Sequence, residues 1–149
     1  MRVRQWTTER ANPTIWDTLD YQHTAELLEP FRRRLATRRL RRRDVKSLTR
    51  VMFGVLMPDA MEASWQGIEI WEMELANKAR TLLKPYQLNL LRMVYTHGES
   101  IAFVQDVAAH YGAKLSDKAV QSRIARAKEA LFKAVEDVWQ DVTREDNHV

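Results

Sequence analysis

One glycine governs the C-terminal third of this chain. Gly112 separates two apolar patterns of helical period in the segment QDVAAHYGAKLSDKAVQSRIARAKEAL, Gln105 to Leu131. Before it, Val107, Ala108 and Tyr111 offer one apolar face; after it, Val120, Ile124, Ala127 and Leu131 recur at steps of four, three and four, the spacing of a helix stripe. Glycine adopts the left-handed backbone that ends a helix at little cost, so Gly112 closes the first helix. Ser116 stands where its hydroxyl can accept from the free amides of the second. Lys114, Lys118, Gln121, Ser122 and Lys128 are left for the outward face. A basic, amide-bearing second helix in such a pair has the form that enters a DNA major groove.

The rest of the chain is also patterned for helix. Four glycines and four prolines in 149 residues, with alanine, leucine, arginine and glutamate in long stretches, predict an all-α, multi-helix fold. The spacing predicts helices over residues 21–43, 44–56, 59–83 and 86–95, with Asp44 capping the second and Asp59 with Glu62 opening the third. Pro30 either interrupts the first helix or sits in its first turn, near Glu29. Ser100 begins the scaffold helix of a helix–turn–helix at about residues 100–139, and Thr143 to Val149 should fray. Residues 1–57 form an N-terminal arm, carrying Trp6 and Trp16, and an arginine-rich helical region. Residues 58–149 form the helical domain that carries the helix–turn–helix.

Charge is distributed unevenly. The net charge is +4, but the stretch Phe31 to Arg50, FRRRLATRRLRRRDVKSLTR, holds ten basic side chains and one acid. Arg32, Arg33, Arg34, Arg38, Arg39, Arg41, Arg42 and Arg43 make a cluster suited to nucleic-acid phosphates, with salt-sensitive and sequence-independent affinity. The plainer reading pairs these arginines with Glu69, Glu72 and Glu74 or leaves them solvated.

Several chemistries find no footing. There is no cysteine, so thiol nucleophiles, thiolate metal sites and disulfides are excluded. His23, His97, His110 and His148 lack metal-ligand spacing, and neither a glycine-rich phosphate loop nor a nucleophile elbow occurs. The expectation is a protein that is not an enzyme and carries no cofactor or metal. No apolar run reaches membrane-spanning length and the N-terminus lacks a signal-peptide core, so cytoplasm is the expected location, without a membrane partner.

The segment SDKAVQSRIARAKEAL resembles the second helix of region 4 in bacterial sigma factors and of related response-regulator DNA-binding domains. Ser116, Val120, Ser122, Arg123, Arg126 and Ala127 fall in the matching register, Asp106-Val107-Ala108 is similar to the acidic–Ile–Ala step upstream, and Gly112 keeps its offset from Ala108. LKPYQLNLLRMVYTHGES, from Leu83, is similar to the preceding helix and its Gly-x-Ser turn. This chain has a longer turn before Ser116 and a scaffold helix extended by most of a turn. Nothing before Thr81 resembles the promoter-melting region of a sigma factor. The resemblance implies that Lys118, Gln121 and Ser122 face base edges, while Lys114, Ser116, Arg123, Arg126 and Lys128 hold phosphates.

Three functions follow as expectations. The first is a DNA-binding transcription regulator on double-stranded DNA, with or without contact to RNA polymerase, of the kind found among phage or plasmid activators and antiterminators. The second is a DNA-packaging component such as a small terminase subunit. The third is an RNA-binding adaptor led by the arginine run. The apolar stripe Leu131, Val135, Val138 and Trp139 offers a homodimer face, and Trp65, Ile68 and Trp71 offer either a partner patch or core packing.

Overall fold

The computed structural model describes residues 21–57 and 69–147, with side chains over 26–57 and 69–143. The arm with Trp6 and Trp16, the helix start at Asp59 and Glu62, Trp65, Ile68 and the last two residues lie outside the described residues. Six α-helices occur among those described, and no strand: α1 (Tyr21–Ala36), α2 (Arg42–Leu56), α3 (Ile70–Thr81), α4 (Pro85–Leu91), α5 (Ile101–His110) and α6 (Asp117–Asn147). A single π turn, Arg92–Thr96, prolongs α4.

Burial explains the helices better than propensity does. Pro30 lies inside α1, where it lacks the N–H of the helix ladder. The turn survives because Leu27, Leu28, Phe31 and Leu35 recur on one face and are all buried. α2 is enclosed over its second half: Leu48, Val51, Met52, Phe53, Val55 and Leu56 are each at most 2% exposed and cover rather more than half of its circumference, with Arg50 on the remaining side. Thr49, also buried, returns its hydroxyl to the Val45 carbonyl at 2.7 Å. The free carbonyls at the α2 C-terminus receive charged donors: Arg80 reaches Gly54 at 2.8 Å and Arg92 reaches Leu56 at 2.9 Å.

α6 is the common wall. Over 31 residues it packs on α2, α3, α4 and α5, and it meets α1 through the ring contact of Phe31 with Phe132 at 5.1 Å. Val120, Ala127, Leu131, Val135 and Val138 are buried along it, each at most 5% exposed. Side chains on both sides of the Met57–Pro58 break therefore contribute to one core.

The structure corrects several sequence expectations. α1 stops at Ala36 rather than Arg43, because Arg39 adopts a left-handed backbone (φ 55°) that turns the chain and lets Leu40 pack against the core. Asp44 does not cap α2; it lies within the first turn, and Arg41 occupies the cap position. The backbone of Thr143 to Asn147 remains helical, and the Thr143 hydroxyl donates toward the Trp139 and Gln140 carbonyls. Tyr111 is 83% exposed instead of facing the core, and Val104 takes the buried place in α5.

Candidate nucleic-acid interface

The joint between α5 and α6 is built from local backbone chemistry. The Ser100 hydroxyl accepts from the Phe103 amide at 3.1 Å and starts α5. At the other end, Gly112 has φ +88°, its amide bonds the Ala109 carbonyl at 3.0 Å, and the Ala113 amide bonds the Ala108 carbonyl at 2.9 Å. That pair of bonds is the Schellman closure, and it needs the left-handed residue where glycine stands. Four residues after Gly112 the Ser116 hydroxyl accepts from the Ala119 amide at 3.1 Å, leaving its own O–H free to donate outward.

A cross-brace that sequence reasoning missed holds the two helices in register. Gln105 Nε2 donates to the Leu115 carbonyl at 3.0 Å and to the Asp117 carboxylate at 2.8 Å. Asp117 is therefore tied to the scaffold helix besides standing at the positive end of α6. A single glutamine at a polar helix position carries no distinguishing pattern, so only the folded turn reveals this role.

On α6, Lys118, Gln121, Ser122, Arg123 and Arg126 are all exposed, while Lys128 is half-buried. Lys114 and Ser116 are exposed in the approach to the helix. No acid occurs between Lys118 and Lys128. Lys118, Ser122 and Arg126 follow one i, i+4 row, and Gln121 flanks it. The first acid beyond, Glu129, is answered by Arg34, whose Nη1 lies 2.8 Å from each carboxylate oxygen.

The arginine run divides by function. Arg34 also binds Glu136 at 2.6 Å and lies 5.9 Å from the Phe132 ring centroid. Hydrogen bonds to Glu129 and then Glu136 raise its pKa further above the ordinary arginine value. Arg38 binds Glu136 at 3.3 Å, and Arg33 lies 3.5 Å from Glu29. The sequence expectation named Glu69, Glu72 and Glu74 as partners; of these, only Glu72 pairs with an arginine of this region, Arg50, at 2.7 Å. Arg32, Arg39, Arg41, Arg42 and Arg43 are exposed and form no ion pair among the described residues.

Helix geometry relates the two basic regions. Glu129 and Glu136 lie about 16 and 27 Å beyond Lys118 along α6, close to three and five whole turns. Arg34 of α1, and Arg38 just beyond its end, thus dock on the prolongation of the face that carries Lys118 and Ser122. The loop from Thr37 to Arg41 stands near the far end of that face, where Leu40, Trp139 and Gln140 border one small cavity.

Elsewhere, Trp71 and Trp139 approach to 6.1 Å beside a groove of about 690 Å³ whose rim mixes Arg43, Lys46 and Lys78 with Glu69 and Glu74. Trp71 is 37% exposed, so it is only partly core. No group of three or more His, Asp or Glu placed to hold a metal ion occurs among the described residues. None of the described helices is long and apolar enough to cross a membrane. The chain matches no protein-family model, no curated protein and no solved structure.

Proposed function

We propose that this chain is a DNA-binding transcription regulator that reads double-stranded DNA with the first three turns of α6. The carrying observation is the exposed, carboxylate-free row of Lys118, Ser122 and Arg126 with Gln121 beside it, on a helix end braced by Gln105. Lysine suits guanine, glutamine suits adenine, and serine accepts either. Lys114, Ser116, Arg123, Arg126 and Lys128 supply phosphate contacts that set orientation without reading sequence. Arg39 and Arg41 of the α1–α2 loop, which form no ion pair among the described residues, add sequence-blind affinity further along the same face. RNA polymerase is a candidate protein partner of such a regulator, in the cytoplasm.

Of the stripe expected to offer a homodimer face, Trp139 alone is half-buried. Leu131, Val135 and Val138 are 0, 0 and 5% exposed and occupied by the chain's own core.

Selection from a random duplex library at physiological salt tests the proposal. Enrichment of one short motif, lost in the Lys118→Ala, Gln121→Ala double variant, supports it. Binding without enrichment removes sequence reading from α6. A ring of many copies in solution, with no preferred motif, would instead favour a packaging component.

A further inference from the structure

α4 brings a second wall against the proposed reading helix. Between them lies a cleft of about 160 Å³, lined by Tyr86, Gln87, Arg123 and Arg126. It is smaller than the ~300 Å³ at which pockets for drug-sized organic ligands begin. No carboxylate of the described residues lines it. Arg123 and Arg126 stand three residues apart on one helix, a spacing at which like charges repel. Neither forms an ion pair among the described residues, and Arg126 Nε makes only a long contact, 3.4 Å, to the Ser122 carbonyl.

The neutral wall is also oriented to donate. Gln87 Oε1 accepts from the Lys84 amide at 3.3 Å, so its oxygen is turned to the backbone of its own helix and its NH2 is left free. Tyr86, 54% exposed, adds a phenolic O–H. Four side chains with N–H or O–H to give, two of them cationic forks, converge where no carboxylate of the described residues answers them.

We propose that this cleft binds one phosphate group of a nucleic-acid backbone, with Tyr86 and Gln87 completing a site that Arg123 and Arg126 begin. The inference rests on the DNA-binding reading and deepens it. Guanidinium groups match phosphate oxygens in a bidentate fork, and a phosphate seated here fixes the depth and rotation of the Lys118–Ser122 row beside it. The contact carries no sequence information of its own.

Two variants test it. Gln87→Glu keeps the shape of the side chain and the acceptor for Lys84 while placing a negative charge among the donors; Tyr86→Phe removes only an exposed hydroxyl. Binding of labelled duplexes, one carrying the selected motif and one scrambled, is measured across salt concentrations, with thermal melting as the folding control. Gln87→Glu is expected to weaken both duplexes equally, by about tenfold, and to make the slope of log K against log salt shallower by about one. Tyr86→Phe is expected to weaken both about threefold. Wild-type affinity and slope in both folded variants overturn the site.

If the unmodified chain binds no duplex, the DNA reading fails by itself and inorganic phosphate decides the cleft. Saturable shifts of the Arg123 and Arg126 Nε–H resonances, abolished by Gln87→Glu, would then identify a free phosphate as the occupant. The absence of such shifts overturns the site.

Discussion

Arg50 grips Glu72 through both Nε and Nη2, at 3.0 and 2.7 Å, and the carboxylate it holds has no exposure to solvent. The same carboxylate accepts the Glu69 amide at 2.9 Å, so one buried acid both starts α3 and anchors it to α2. Removing one partner of such a pair leaves an uncompensated buried charge. Arg50→Ala is expected to lower unfolding stability by about 3 kcal/mol, and Glu72→Gln by less, because the amide still accepts from Glu69. Urea denaturation followed by circular dichroism measures both; equal and negligible losses would show that the pair is incidental.

Gln105→Ala removes the brace between α5 and α6. Its two hydrogen bonds predict a loss of about 1–2 kcal/mol. Amide exchange should accelerate from Leu115 to Val120 while the α2 core keeps its protection. Duplex affinity should fall with it, since the reading row loses its fixed relation to the scaffold helix.

Gly112→Ala isolates backbone strain. A Cβ at this position meets nothing within 4 Å, yet φ is +88°. The cost should be about 1–2 kcal/mol, from the left-handed conformation alone. A loss of 4 kcal/mol would indicate a steric role that the turn does not contain.

Lys118→Ala and Gln121→Ala should leave melting within about 0.5 kcal/mol, because both side chains are exposed. In duplex selection each should relax one or two positions of the motif, at about 1–3 kcal/mol of discrimination. Loss of affinity that is equal for every sequence would reassign them to the backbone.

The arginine run should split under mutation. Replacing Arg39, Arg41 and Arg42 with glutamine is expected to reduce the salt slope by up to about 3 and to leave the motif unchanged. Arg34→Ala should instead destabilise the fold, since Glu136, whose side chain is 12% exposed, loses its strongest partner. Collapse of structured-RNA binding with duplex binding intact would place the loop in an RNA-binding role.

The legible parts of this molecule are those decided within a few residues. Gly112, Ser116 and the stripe through Val120, Ala127 and Leu131 follow from turn chemistry and period, and each is in its expected structural place. Boundaries decided at a distance were not legible. Residues 37–43 carry side chains compatible with helix, but α1 ends where Arg39 turns and Leu40 packs. Arg34 finds Glu129 ninety-five residues away, a pairing that no local pattern announces. Tyr111 keeps helical spacing with Val107 and Ala108, yet the Schellman turn begins at its position and swings it into solvent. In sequence, Tyr86 and Gln87 are only the first turn of a short helix; their relation to Arg123 exists only once α4 lies on α6.

Because α6 is unbroken from Asp117 to Asn147, its two ends cannot be set independently. Leu131, wholly buried near the middle, acts as a fulcrum. A tilt of about 10° there carries Lys118, about 20 Å away, through about 3.5 Å, close to the ~3.4 Å spacing of successive bases along a strand. Packing at Val135, Val138 and Trp139 therefore aims the opposite end of the helix. A cavity opened there would be felt at the far end as a change of alignment, without any reading residue being altered.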